Sequence, residues 1–175
     1  VCGGDDDSKS ALLARLISSH GERAAARGPL AGAQKKEDAQ QEELWQGIDP
    51  LAALQCFVTA KRKFLVLDAT GRQQEGCAMG SPASRSDLAL VMIDARQGMS
   101  ARNRRESCIA HLLGVRHAIV AVDAGDAVDV DEARFAEVEA AYREFAAGIG
   151  IAGFTAIPIS TTAGDNISLR SARMP

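Results

Sequence analysis

Three continuous apolar runs limit what this chain can fold into more than any other feature. Leu88-Ala89-Leu90-Val91-Met92-Ile93, Ala118-Ile119-Val120-Ala121-Val122 and Phe154-Thr155-Ala156-Ile157-Pro158-Ile159 are each bounded by polar residues. A strand with one wet face alternates apolar and polar residues, so runs that do not alternate predict strands covered on both faces. Between them, Arg102 to Leu113 places Ile109, Leu112 and Leu113 on one side of a helix, and Phe135, Val138, Tyr142, Phe145 and Ile149 step by threes and fours through another. Strands alternating with helices predict an α/β fold, a mostly parallel sheet with helices on both faces. Upstream, Ala53–Val58 and Phe64–Asp68, joined through Lys61-Arg62-Lys63, predict an antiparallel pair, with His117 at the start of a later strand. Residues 18–44 are broken by Gly21, Gly28, Pro29 and Gly32 and predict a long mobile loop.

A chain of 175 residues with 46% hydrophobic content supports one sizeable core, so residues 1–175 are expected to form a single domain. The net charge of −3 gives no electrostatic footprint for nucleic acid or an acidic membrane surface, and neither is expected as a partner. Cys2, Cys56, Cys77 and Cys108 contain no C-x-x-C pair, which argues against a zinc site or a disulfide framework and for reduced thiols. No apolar run approaches the roughly 18 residues of a membrane span, and a cytoplasmic location is expected.

The amino-terminal segment Gly3-Gly4-Asp5-Asp6-Asp7-Ser8-Lys9-Ser10 carries the chemistry. It fits the phosphate-binding pattern G-x-x-x-x-G-K-[ST] except that Ser8 stands at the second glycine. Consecutive backbone N–H groups and a following helix N-terminus would cradle a phosphate, with Lys9 neutralising its charge and the Ser10 hydroxyl on Mg²⁺. Ser8 brings a Cβ into the tightest part of that wrap, at a cost of about 1–2 kcal/mol if the backbone there is left-handed. The same residues also read as an acidic turn, with Asp7 or Ser8 capping a helix whose apolar face is Leu12, Leu13, Leu16 and Ile17. In parallel α/β sheets ligands bind outside the carboxyl ends of the strands. Gly3–Ser10, Asp68–Arg72, Asp123–Asp126 and Ser160–Thr162 all fall at such ends, which favours the phosphate reading.

With Asp68-Ala69-Thr70-Gly71-Arg72 where D-x-P-G-H is found, and Asp123-Ala124-Gly125-Asp126 where N-K-x-D is found, the chain resembles translation-factor-type GTPases. It is similar to the G domain of the GTPase subunit of bacterial sulfate adenylyltransferase, a relative of elongation factor Tu. Lys61-Arg62-Lys63-Phe64, Asp94-Ala95-Arg96, Leu113-Gly114-Val115-Arg116-His117 and Ser171-Ala172-Arg173-Met174-Pro175 carry that likeness. The resemblance implies a P-loop NTPase G domain whose first strand is truncated to Val1-Cys2 and whose closing helix, after Gly164-Asp165-Asn166, is absent. It also implies GTP or GDP with Mg²⁺ as cofactors and a small catalytic adenylyltransferase subunit as partner. The implied activity is GTP hydrolysis coupled to ATP-dependent sulfate activation, giving adenylylsulfate and pyrophosphate. A pseudo-GTPase scaffold for the small subunit and a non-functional fragment are the alternatives.

Carried over residue by residue, the resemblance assigns Gly3, Asp6, Asp7, Ser8, Lys9 and Ser10 to the phosphates and Asp123, Asp126, Ser160 and Thr161 to the base. Ser10 and Asp68 fall to Mg²⁺, with Asp49 at the metal-binding threonine of switch I, to which residues 18–44 lead. Gly71 keeps the backbone contact to the terminal phosphate, and Arg72 replaces the histidine that orients the attacking water. Arginine stays protonated and is no base, so Arg72 is either a stabiliser of transition-state charge or a solvated side chain. Asp126 retains the carboxylate for the guanine N1–H and 2-amino group, whereas Asp123 replaces an asparagine and Ala124 a lysine. Ser160-Thr161 replaces Ser-Ala in the loop whose backbone N–H meets the guanine carbonyl. If Ser8, Asp123 and Ala124 each cost about 1–2 kcal/mol, nucleotide binding weakens by roughly 10²- to 10⁴-fold, and hydrolysis is expected to be impaired.

Overall fold

The structure, a computed structural model, describes residues 1–3, 6–19, 53–68, 83–125 and 131–174, with Asp6, Ala53 and Leu54 described by their backbone alone. In chain order the elements are β1 (Cys2–Gly3), α1 (Asp6–Ser19), β2 (Ala53–Val58), β3 (Lys63–Asp68), β4 (Leu88–Asp94), α2 (Ala101–Leu112), β5 (His117–Asp123), α3 (Glu132–Ile149) and β6 (Gly153–Ile159). β1, β4, β5 and β6 form a parallel sheet in that order, and β2 and β3 an antiparallel pair. The Val1 nitrogen donates to Leu67 O at 2.6 Å, which brings β3 beside β1.

The apolar runs are two-faced, as their lack of alternation requires. Val91 and Ile93 on β4 and Val120 and Val122 on β5 point into one core with Val138, Tyr142 and Ala146 of α3. Their neighbours Met92 and Ala121 point to the other side, where Leu12 of α1 and Ile159 of β6 close a second cluster. The register is unbroken from Leu88↔His117 to Asp94↔Asp123 and from His117↔Gly153 to Asp123↔Ile159, so β4, β5 and β6 end level with one another. Among the described residues the largest fully buried side chain is Tyr142, whose ring meets Phe154 edge-on at 5.0 Å and whose hydroxyl lies 3.3 Å from Ser107 Oγ. Tyr142→Phe keeps the ring and leaves Ser107 without that partner; we expect a loss of about 1 kcal/mol in urea unfolding.

Two expectations change. The apolar side expected for α2 is not its buried side: Asn103, Glu106, Ser107 and Ala110 are buried, Ile109 is partly buried, Leu112 is 83% exposed and Leu113 lies just beyond the helix. The polar stripe faces inward because it satisfies backbone groups at the sheet edge, where Asn103 Nδ2 donates to Met92 O at 2.8 Å. The helix starts from a capping box in which Asn103 N donates to Ser100 Oγ at 3.1 Å and Ser100 N to Asn103 Oδ1 at 3.0 Å. Second, Ser18 and Ser19, expected to open the mobile loop, belong to α1, where both hydroxyls bond Arg15 O. The rest of that loop lies outside the described residues. Beyond β6, residues 160–174 run mostly in turns, and Met174 joins the buried cluster that contains Val91 and Tyr142.

Candidate functional site

At the carboxyl end of β1, Gly3 adopts φ 74°. A Cβ there would run into Met92 O and lie 2.6 Å from Asn103 Nδ2, so only glycine fits. Gly3 N donates to Glu106 Oε2, and Glu106 Oε1 accepts from Arg102 Nε at 2.8 Å. A buried carboxylate on α2 thus fixes the point where the chain turns from β1 toward α1. The sequence reading missed Glu106, although its spacing of three from Asn103 and four from Ala110 puts all three on one helical face.

Helix α1 begins at Asp6, so Asp7 and Ser8 lie within its first turn and are not the caps expected. Acidic residues in a first turn suit the positive end of the helix dipole. Lys9 follows and is 1% exposed, while Ser10 faces solvent. Asp68, at the end of β3, is 6% exposed. Lys9 and Glu106 both act on the neighbouring Cys2 thiol, which places a cation and an anion close to β1. Burial pushes that thiol up to about 11, the adjacent amino-terminal charge opposes it, Glu106 adds to it, and Lys9 and Arg102 oppose it. Because the folded value lies above the ordinary 9.0, the stability it contributes is complete below pH 9 and is lost as pH rises through about 11. We expect the chain to lose about 2–3 kcal/mol over that interval relative to Cys2→Ala, measured by urea unfolding at stepped pH.

At the ends of β5 and β6, Asp123 and Thr161 meet. Asp123 Oδ1 accepts from Thr161 N and from Gly125 N, each at 3.0 Å, and Oδ2 accepts from Thr161 Oγ1 at 2.6 Å. Asp123 is 4% exposed and Thr161 6%. Ser160, also buried, accepts from Ala163 N at 2.9 Å and turns the chain. Arg15 of α1 reaches this loop, its Nε donating to Thr161 O at 2.7 Å and its Nη2 to Thr162 O. Its Nη1 would lie 2.6 Å from a Cβ at Gly164, so the glycine makes room for the guanidinium. Arg15, not singled out in the sequence, ties the helix after Gly3 to the loop after β6. Hydrogen bonding by Ser171 and by the Arg173 guanidinium holds Asp165 below the usual carboxylate range, and Arg173 Nη2 lies 2.8 and 2.7 Å from its two oxygens.

The structure therefore brings Gly3, Asp7, Ser8, Lys9, Ser10, Asp68, Asp123, Ser160 and Thr161 to the carboxyl edge of the sheet. Asp6 is described by its backbone alone. Asp49, Gly71, Arg72 and Asp126 lie outside the described residues. Among the described residues no cluster of three or more His, Cys, Asp or Glu has metal-binding geometry, and no helix is long and apolar enough to cross a membrane.

The family model for the elongation factor Tu GTP binding domain matches residues 1–172. Sulfate adenylyltransferase subunit 1 of Psychromonas ingrahamii is 37% identical over 99% of this chain and 40% of its own length. The bifunctional enzyme NodQ of Rhizobium meliloti is 38% identical over all of this chain and 30% of its own. The chain thus spans well under half of the curated relatives it matches. Among solved structures, a bacterial selenocysteine-specific elongation factor, EF-Sec, superposes with TM-score 0.64 at 15% identity, covering 95% of this chain and 26% of that one. The elongation factor SelB of Methanococcus maripaludis gives 0.61 at 16% identity, over 93% of this chain and 29% of that one. With the parallel sheet, the helix after Gly3 and the family match over residues 1–172, the chain belongs to the elongation factor Tu GTP-binding domain family and is homologous to sulfate adenylyltransferase subunit 1.

Proposed function

We propose that this chain is the GTP-binding domain of a sulfate adenylyltransferase subunit, one that couples GTP hydrolysis to ATP-dependent sulfate activation and whose hydrolysis is impaired. The observation that carries the reading is Lys9, buried in the first turns of α1 and six residues past the left-handed Gly3. A helix N-terminus and a lysine at the carboxyl edge of a parallel sheet supply the donors and charge a polyphosphate needs. Mg²⁺ fits the donor set, because this ion takes one or two protein oxygens and fills its remaining positions with water and phosphate. Ser10 and Asp68 would hold it, and bound there it would neutralise charge between the terminal phosphates. Lys9 draws the phosphates toward β1, and Arg15 holds the base-side loop against the same helix. Impaired turnover follows from Arg72, which cannot serve as a base, and from Asp49 in place of a neutral metal ligand.

Thermal unfolding with millimolar GDP and Mg²⁺ tests the binding reading; a rise in midpoint is expected, and no rise contradicts it. Release of phosphate from GTP in the same preparation tests turnover, which we expect to stay near the uncatalysed rate. The closed bonding of Asp123 favours a second reading, a scaffold that binds the small adenylyltransferase subunit whatever the nucleotide state. A pull-down of that subunit with and without GTP separates the two, since a scaffold captures it equally in both.

A further inference from the structure

The pair Asp123 and Thr161 does more than replace two residue types. Thr161 N–H, the backbone donor placed to meet a base carbonyl, already donates to Asp123 Oδ1 at 3.0 Å. The Thr161 hydroxyl donates to Oδ2 at 2.6 Å, and Gly125 N–H to Oδ1 at 3.0 Å. Three donors converge on one carboxylate, and both residues are almost wholly buried. Hydrogen bonds to an ionised acceptor are stronger than those to a neutral carbonyl, so a base oxygen competes poorly for the Thr161 N–H. Displacing the carboxylate would strand a buried charge. A carboxylate, acceptor-only when ionised, also has no donor of its own to offer the base, as an asparagine amide would.

We propose that Asp123, positioned by Thr161, masks the donor for the purine 6-oxo group, so that this site holds a guanine nucleotide without reading that oxygen. The proposal rests on the nucleotide-binding reading above and makes Asp123 a specificity-determining residue. It also couples the two substitutions. The threonine hydroxyl supplies the third donor that keeps the buried carboxylate satisfied, 38 residues away in sequence.

The test compares GDP with 6-thio-GDP, which keeps the N1–H and 2-amino group but presents a poor acceptor at the 6-position. Titrated with Mg²⁺ into the intact chain, the two are expected to bind within about twofold of each other. Asp123→Asn replaces the ionised acceptor of Thr161 N–H by a weaker neutral amide oxygen, with which a base carbonyl can compete, and adds an amide donor; it is expected to tighten GDP about tenfold and to create a preference for GDP over 6-thio-GDP of about fivefold or more. GDP binding seen only in Asp123→Asn contradicts a site that holds a guanine nucleotide with Asp123 in place, and it overturns the proposal. A fivefold preference for GDP in the unaltered chain, or an unchanged ratio in Asp123→Asn, overturns it. If neither chain binds either nucleotide, the nucleotide-binding reading itself fails and the proposal falls with it. Should Asp123→Asn not fold, Asp123→Asn with Thr161→Ala replaces it and is expected to show the same gain.

Discussion

Lys9→Met is expected to remove Mg²⁺–GDP binding, weakening it by at least about 10²-fold while the chain still unfolds cooperatively. The side chain is 1% exposed and lies in the first turns of α1, where the helix dipole already favours an anion. Methionine matches the length of the lysine stem, so the buried volume is kept and the loss is one of charge. Titration calorimetry gives the affinity, and urea unfolding establishes that the variant is folded. Unchanged affinity in a folded Lys9→Met would mean that the phosphates, if bound, sit elsewhere.

Gly3→Ala is expected to destabilise the fold by about 2–5 kcal/mol, the sum of a left-handed penalty and of overpacking. At φ 74° a Cβ would collide with Met92 O, a backbone atom of β4 that cannot move without shifting the sheet, and with Asn103 Nδ2. Relieving the clash breaks either the Asn103 bond to Met92 O or the Gly3 bond to Glu106. The change therefore loosens α2 from β4 or from β1, and the urea midpoint should fall accordingly. A loss under about 0.5 kcal/mol would contradict the tight packing at this turn.

Both residues stood out in the sequence because the phosphate-binding pattern they match is local, with its positions within a few residues of one another. The strands were legible for a related reason. Runs such as Leu88 to Ile93 feed two cores at once, and the ladder merely extends them onto His117, Asp123 and Gly153. What the sequence concealed is non-local. Glu106 and Asn103 are polar and sit on the buried face of α2 because Gly3 N and Met92 O need partners there, a demand a helical apolar pattern does not express. Arg15 bonds carbonyls 146 and 147 residues away. The Asp123–Thr161 pair depends on β5 and β6 ending level, so Asp123 taken alone read as a loss and Thr161 as a replacement without consequence, whereas together they form a satisfied unit. At Asp123 the structure thus alters the chemistry expected from the motif, from a missing amide to an occupied donor.

The central claim, a phosphate end competent to bind beside an altered base end, is tested most directly by titrating GDP into the intact chain with Mg²⁺ and again with a chelator. The account predicts saturable binding that the chelator weakens at least about tenfold. Absence of binding up to millimolar GDP with Mg²⁺, in chain shown by urea unfolding to be folded, would contradict it.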